Sequence, residues 1–285
     1  MIKFGTGGFR AVIGDDFTKQ NIELLAQGLV NKIKDEKVDD SPLVIGYDRR
    51  FLSDLAAKWA AGVFAANGIK VHFIDLQAPT PLIMFVVKQS KAAYGMAVTA
   101  SHNPAEYNGI KVFTAGGRDA AKEVTDVLEE YIAKLTPADV KTMEFQEGVD
   151  AGIIEYIEPM NDYIDSILSF VDVDVIKKRH LKVLLDPMYG VSKTSLQTIL
   201  LTCRCDVDVI HDRHDTLFGG RLPAPSAKTL AHLSNMVVEG KYDLGIGTDG
   251  DADRIGLIDS EGTFIHPNDI LVLLYYYLVK YKGWK

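Results

Sequence analysis

The sequence predicts an α/β protein of two similar three-layer α/β/α domains with mixed, mostly parallel sheets, followed by the first helix of a truncated third domain. Three observations support this prediction. Short apolar segments alternate with amphipathic helical segments through the first half of the chain, an order typical of parallel strands covered by helices. The same alternation starts again after about residue 150. A strongly apolar helical segment then follows, and it needs another element to bury it.

The first unit, residues 1–150, is predicted to contain an amphipathic helix that Thr18 caps and a second helix that Ser53 caps and Gly68 ends. A short helix should follow the Pro79–Pro81 turn. The remaining predicted elements are a helix at 122–135 and strands at Leu43–Tyr47, Val71–Ile74, Tyr94–Val98 and 108–113. The last of these segments opens with the Asn108-Gly109 turn, so 108–113 is predicted as a turn and a strand that runs antiparallel to the strand before it.

The second unit, residues 151–262, has a similar layout without an exact sequence repeat. Its predicted helices are 156–170, 192–201 and 228–238, and its predicted strands are 183–185, 207–210, 244–247 and 255–258. Residues 263–285 carry the apolar helix 269–281. We expect this helix to open a third unit and, when exposed, to pack against a second copy of the chain in a homodimer.

Composition excludes several classes of function. The 285 residues carry a formal net charge of −8, which argues against a nucleic-acid partner but allows an anionic substrate beside local cations or a metal. Cys203 and Cys205 are too few and too close for a disulfide scaffold, so we expect two small buried or half-buried residues. Residues 1–5 show no apolar signal core, and the apolar run 270–279 is too short to span a bilayer. We therefore expect a cytoplasmic protein without a membrane partner.

The segment Thr99-Ala100-Ser101-His102-Asn103-Pro104 follows a predicted buried strand, where functional loops gather in α/β sheets. A lone serine hydroxyl needs activation, and the glycine-flanked elbow of the α/β-hydrolases is absent around Ser101. His102 can supply a hydrogen bond or a proton. The predicted antiparallel strand returns Lys111 to the side of Ser101. These residues favour a serine that carries a phosphoryl group, with an ordinary turn serine as the alternative.

A second segment, Asp249-Gly250-Asp251-Ala252-Asp253-Arg254, places three aspartates at alternate positions after a predicted strand. Carboxylates at this spacing can converge on one hard cation, Mg²⁺ or Ca²⁺ rather than zinc. An EF-hand is excluded because Arg254 and Ser260 stand where glycine and glutamate are needed. A phosphatase with Asp249 or Asp251 as nucleophile stays open, although the threonine that such motifs usually carry is missing.

The chain opens with the glycine-rich segment Phe4-Gly5-Thr6-Gly7-Gly8-Phe9-Arg10. No lysine follows at P-loop spacing, so a Walker-type nucleotide site is excluded. The segment can aim Arg10 at an anion, since a guanidinium suits phosphate oxygens, and an ordinary glycine turn is the alternative.

These three segments, in this order and spacing, resemble the α-D-phosphohexomutase superfamily, which includes phosphoglucomutases, phosphomannomutases and phosphoglucosamine mutases. The resemblance implies a phosphoserine at Ser101 and Mg²⁺ held by a phosphoserine oxygen with the three aspartates. It further implies Lys111 as general acid/base, with Arg10 and Arg254 near the transferred phosphate. The implied enzyme is an intramolecular phosphotransferase that interconverts hexose 1-phosphate and hexose 6-phosphate through hexose 1,6-bisphosphate. The opening motif favours the phosphoglucomutase or phosphomannomutase type.

The resemblance covers the N-terminal portion of the family only. Family members resemble a four-domain heart around a cleft, and this sequence matches the first two domains and the opening of the third. It lacks the sugar-selecting loop of domain III and the phosphate-binding loop of domain IV, so we expect this piece alone to have little or no mutase activity. Two alternatives remain, a metal-dependent phosphatase and a non-catalytic sugar-phosphate binding or assembly module. The presence of Ser101 with all three aspartates argues against the second alternative.

Overall fold

The computed structural model describes residues 2–5 and 8–284, which form two units, each a mixed sheet with helices on both faces. The strands of the first unit are β1 Phe4–Gly5, β2 Gly8–Val12, β3 Leu43–Tyr47, β4 Val71–Ile74, β5 Tyr94–Val98, β6 Tyr107–Thr114, β7 Arg118–Asp119 and β8 Ile154–Ile157. Its helices are α1 Lys19–Asp35, α2 Ser53–Ala66, α3 Thr80–Gln89, α4 Lys122–Ala133 and α5 Phe145–Asp150. The second unit contains strands β9 Lys182–Asp186, β10 Asp206–Val209, β11 Leu244–Thr248, β12 Ile255–Asp259 and β13 Phe264–Ile265, with helices α6 Met160–Phe170, α7 Val173–Lys177, α8 Lys193–Thr202 and α9 Ala231–Glu239. The last helix is α10 Pro267–Lys280.

The first sheet has the strand order β1-β2-β6-β5-β3-β4-β8, with β7 beside β6. Strands β5, β3, β4 and β8 run parallel, whereas β1, β2, β6 and β7 pair antiparallel with their neighbours. The prediction of mixed sheets is confirmed, but the sheet is only half parallel. The reason is the loop 99–106, which is too short for a crossover, so β6 must return antiparallel to β5.

The end of the first unit differs from the expected boundary at residue 150. Strand β8 pairs parallel with β4, so the first sheet extends to Ile157. The predicted helix 156–170 was therefore wrong in its first turn, and α6 begins only after Pro159, the residue at its N-cap.

Cores lie on both faces of the first sheet. One core packs α1, α2 and α4 against it, and a smaller one packs α3 against the opposite face. Thr18 caps α1 as predicted, because its hydroxyl accepts a hydrogen bond from the Asn21 N–H. Ser53 does not cap α2, since its hydroxyl donates to Asp48 Oδ1 at 2.7 Å instead.

The second sheet has the order β10-β9-β11-β12-β13, parallel across the first three strands and antiparallel beyond β11. Helix α9 covers one face, and α6, α7 and α8 lie on the other, where Cys203 and Cys205 are buried as free thiols. The loops that position the candidate site follow the carboxyl ends of β3, β5, β9 and β11.

Helix α10 is exposed on all sides. None of its residues is buried, and large apolar side chains such as Leu273 and Tyr275 are 62% and 71% exposed. Within the described part of the chain, no helix combines the length and apolarity that crossing a bilayer requires.

Candidate active site

The serine segment and the aspartate segment meet at the carboxyl ends of two strands. Ser101 follows β5 and Asp249 follows β11, and both side chains are buried. The Ser101 hydroxyl donates a hydrogen bond of 2.8 Å to Asp249 Oδ2 across the junction between the units. The two sheets thus bring together residues that are far apart in sequence.

Ser101, whose hydroxyl lies in this junction, has an unusual backbone conformation. Its φ is 52°, in the left-handed region, which costs on the order of 1–3 kcal/mol for a residue with a side chain. The Thr99 hydroxyl accepts from the Ser101 N–H at 2.8 Å and donates to Asp48 Oδ2 at 2.7 Å. Asp48 is fully enclosed, and burial raises the pKa of its carboxyl. This chain of hydrogen bonds holds the strained residue in place.

Gly109 on β6 allows the segment 99–107, the serine loop, to approach the sheet closely. A Cβ there would lie 2.3 Å from the Phe9 carbonyl oxygen and 2.9 Å from the Thr99 carbonyl oxygen. Any side chain at this position would therefore push the serine loop away from β2 and β6.

The three aspartates form a compact set of oxygen ligands. Each of Asp249, Asp251 and Asp253 offers a carboxylate oxygen, and these oxygens lie within 4.8 Å of one another. Asp249 Oδ1 accepts from the backbone N–H groups of Asp253 and Arg254 at 3.0 Å each, which curls the loop around its own first carboxylate. The spacing predicted from the sequence is thus realised as a single cluster.

Lys111 lies against this cluster. Its Nζ is 2.8 Å from Asp251 Oδ2 and 2.6 Å from Asp253 Oδ2, and on β6 Lys111 pairs with Ala97 of β5. Burial lowers the pKa of Lys111, but the attraction of Asp251 and Asp253 outweighs it and the pKa is raised overall. Lys111 therefore carries a full positive charge at neutral pH.

The carboxylates respond differently to their surroundings. Burial, with repulsion from Asp251 and Asp253, raises the pKa of Asp249 to about 8. Burial also acts to raise the pKa of Asp251, but Lys111 and the Thr80 hydroxyl outweigh it and hold that pKa below its usual range. Three carboxylates this close repel one another, and a bound cation would relieve that repulsion.

One buried atom points to a metal ion as the missing partner. Asp251 Oδ1 is buried and has no hydrogen-bond partner among the described residues. Hard carboxylate oxygens are the donors that Mg²⁺ and Ca²⁺ prefer. The residues present therefore fit a divalent cation held by Asp249, Asp251 and Asp253.

The remaining predicted residues surround the same point. Arg10 Nη1 donates to Asn103 Oδ1 at 2.7 Å, and burial lowers the pKa of the half-buried Arg10. His102 Nδ1 lies 3.4 Å from Ser101 Oγ, and burial together with the charges of Arg254 and Arg10 lowers the pKa of His102. All eight predicted site residues thus lie around the junction between the two units. Thr6 and Gly7 of the opening segment lie outside the described residues.

Two family models match the chain. The model described as phosphoglucomutase/phosphomannomutase, α/β/α domain I, matches residues 1–139, and the model of α/β/α domain II matches residues 161–262. The chain belongs to the phosphoglucomutase/phosphomannomutase family. Members of this family named below are phosphohexomutases, which are intramolecular phosphotransferases.

Individual relatives agree with this assignment. A phosphoglucosamine/phosphogalactosamine mutase of Sulfurisphaera tokodaii is 31% identical over 91% of this chain and 55% of its own length. A phosphoglucomutase/phosphomannomutase of Thermococcus kodakarensis is 30% identical over 95% of this chain and 58% of its own. The crystal structure of a protein assigned as a phosphomannomutase in Thermus thermophilus superposes with a TM-score of 0.89, at 30% identity over 99% of this chain and 62% of that one. The chain therefore spans little more than half the length of the curated relatives that it matches.

Within this phosphohexomutase-family chain, sequence reasoning missed two residues that hold the site. Thr80 donates its hydroxyl to Asp251 Oδ2 at 2.7 Å and its N–H to the Asp251 carbonyl at 2.9 Å. Arg50 donates to four carbonyl oxygens of the serine loop. Arg50 stands in the polar loop after β3 and Thr80 is the first residue of α3, and both act through contacts with distant segments, so the sequence carried little signal for either.

Proposed function

We propose that this chain carries the phosphoryl-transfer centre of a phosphohexomutase, which interconverts hexose 1-phosphate and hexose 6-phosphate through a phosphoserine at Ser101 and a hexose 1,6-bisphosphate. The observation that supports it most directly is the 2.8 Å contact between Ser101 Oγ and Asp249 Oδ2 inside the carboxylate cluster. A phosphoryl group on Ser101 would lie beside both the cluster and the cationic side chains.

The proposed roles follow from charge and position. Asp249, Asp251 and Asp253 would hold Mg²⁺, which supplies positive charge next to the phosphoryl group when it is bound. Arg10 and Arg254 would bind the oxygens of the transferred group. Lys111 is the candidate general acid/base, since a charged Lys111 can donate a proton to Ser101 Oγ as the bond between serine oxygen and phosphorus breaks. His102 would contribute a hydrogen bond at the same place.

The sugar is left open by the relatives, whose names include glucosamine, galactosamine, glucose and mannose phosphates. The preference for a phosphoglucomutase or phosphomannomutase type, the cytoplasmic location and the assignment of 263–285 to a third domain stay predictions. Hexose 1,6-bisphosphate as activator and a hexose phosphate as substrate belong to the same proposal.

The experiment that tests this function is intact mass measurement with phosphopeptide mapping, before and after incubation with glucose 1,6-bisphosphate and Mg²⁺. We expect one phosphoryl group on Ser101, and none in Ser101→Ala. Ser226→Ala is a matched control, because Ser226 lies in the loop before α9 and, among the described residues, bonds only with its own loop and the residues that lead into α9. Phosphate on an aspartate, with release of inorganic phosphate, would instead support the metal-dependent phosphatase.

A further inference from the structure

The backbone of the serine loop is bound by Arg50, a buried residue that follows β3 and is 3% exposed. Arg50 Nη2 donates to the carbonyl oxygens of Ser101 and Asn103 at 2.6 Å each. Its Nη1 donates to those of Pro104 at 2.8 Å and Tyr107 at 3.0 Å. Because a guanidinium is a rigid planar fork, these four bonds fix the carbonyl groups relative to one another.

The face of this guanidinium is covered by a residue of the second unit. Arg50 Cζ lies 4.8 Å from the centre of the Phe218 ring, and Phe218 is 1% exposed. A cation over an aromatic face is attracted most strongly when both are removed from water, as they are here. The plane of Arg50, and with it the serine loop, is thus set by a contact between the two units.

The segment that carries Phe218, residues 211–223, is itself firmly held. His211 Nδ1 lies 2.9 Å from Asp186 Oδ2, and Arg221 Nη2 lies 3.0 Å from His211 Nε2. Since arginine can only donate, Nε2 accepts and Nδ1 donates to Asp186. Phe218 has a φ of 52°, a strained value that persists only where the surroundings enforce it.

The same segment also contacts the aspartate loop, residues 249–254. The Gly250 N–H donates to the Pro223 carbonyl oxygen at 3.3 Å. A Cβ on Gly250 would lie 2.9 Å from the Ser101 carbonyl oxygen and 3.6 Å from Phe218 Cε1. Phe218 therefore lies where the serine loop and the aspartate loop come together.

We propose that Phe218 is a positioning residue that acts through Arg50, so that docking of the second unit sets the conformation of the serine loop in the first. Its consequence for phosphorylation of Ser101 rests on the proposed function, whereas its effect on the loop does not. Phe218 touches no reacting atom in this role.

Hydrogen exchange measured by mass spectrometry tests the positioning directly. In Phe218→Leu, which keeps an apolar side chain but removes the ring, we expect amides of 99–107 to exchange about threefold to tenfold faster, from the size of such a contact. Phe264→Leu is the matched control, because Phe264 packs in the second unit's own core. Peptides from β4 and β11 report any global loss of stability. Unchanged exchange in 99–107, or an equal change in Phe264→Leu, would overturn the proposal.

A double-mutant cycle separates positioning from general packing. Arg50→Lys keeps the charge but loses the fork, and we expect Arg50→Lys and Phe218→Leu to be strongly non-additive in their effect on 99–107. Additive effects would contradict action through Arg50. Phosphorylation of Ser101 by glucose 1,6-bisphosphate is measured in parallel and should slow several-fold in Phe218→Leu but not in Phe264→Leu. If the unsubstituted protein is not phosphorylated, the proposed function fails while the exchange experiment still decides the role of Phe218.

Discussion

The raised pKa of Asp249 would couple binding of a cation at the aspartate cluster to the release of a proton. Its pKa of about 8 means that the metal-free carboxyl holds a proton at neutral pH, which a cation must displace. We predict that Mg²⁺ affinity rises about tenfold per pH unit up to about pH 8 and levels off above it. Calorimetry in buffers of different ionisation enthalpy should show about one proton released per Mg²⁺ at pH 7 and almost none at pH 9. Affinity independent of pH from 6 to 8 would contradict the prediction.

The same shift has a consequence for the metal-free fold. The carboxyl has a higher pKa in the folded chain than its ordinary value of 3.8, so the folded state binds the proton more tightly than the unfolded state. The contribution of Asp249 to the free energy of unfolding therefore falls as pH rises from 3.8 to about 8. Saturating Mg²⁺ should remove this dependence, which thermal unfolding at several pH values can measure.

Thr80, the first residue of α3, supports the aspartate cluster. Its hydroxyl and N–H both bond Asp251, so Thr80→Val removes one of these two bonds while keeping the shape of the side chain. We predict that Mg²⁺ binding weakens about 10- to 100-fold, the usual effect of losing a partner of a metal-ligating carboxylate. Thr198→Val is the control, since that exposed hydroxyl donates to the Thr194 carbonyl oxygen of the same helix, its one partner in the described part of the chain. Equal Mg²⁺ affinity in the two variants would show that Thr80 does not orient Asp251.

At the level of residues, the sequence predicted which side chains come together at the site, but not the side chains that hold them in place. Ser101, Lys111 and the three aspartates were accessible because carboxylate spacing and strand order are local patterns. Arg50 and Phe218 were not, since their contact joins segments of different units and leaves no periodic trace in either. Side chains that hold a site act across the fold, and a single sequence does not reveal such pairs.

Secondary-structure elements were predictable where the apolar pattern and its stop signals agree. Thr18 caps α1 because an amphipathic face follows it directly. Tyr156 and Ile157 belong to β8, but the sequence assigned them to the helix that follows. They continue the apolar spacing of α6 on the N-terminal side of Pro159. Only the pairing of β8 with β4, a contact between distant segments, distinguishes the two conformations.

Helix α10 has large apolar side chains that no other described element buries. Its apolar side chains are exposed around the whole circumference, an arrangement typical of a helix that packs against further protein. We predict that the 285-residue polypeptide associates through α10 as its concentration rises. Leu273→Lys and Tyr275→Glu together should shift the sedimentation profile towards the monomer, whereas the exposed pair Leu201→Lys and Val238→Glu should not. A monomer at every concentration would refute association through α10.

At the scale of the whole molecule, loops of the two sheets meet at one junction. The loops after β3 and β5 come from the first sheet, and the loops after β9, β10 and β11 come from the second. The site therefore exists only when the two units are docked, and the buried contacts of Ser101, Thr80 and Arg50 all cross that junction.

This arrangement leads to a prediction for the polypeptide of residues 1–285. In the proposed reaction, the cationic side chains beside Ser101 would bind the transferred phosphate. A hexose bisphosphate would carry a second phosphate and a sugar that must also be held for the return step. Since the chain spans 55% and 58% of the length of the Sulfurisphaera and Thermococcus relatives, we expect Ser101 to become phosphorylated but mutase turnover to be very slow. Parallel assays with the 1-phosphates of glucose, mannose and glucosamine measure this. Turnover above about 1 s⁻¹, the lower end for ordinary enzymes, with any of them would show that these residues suffice to hold and reorient the intermediate.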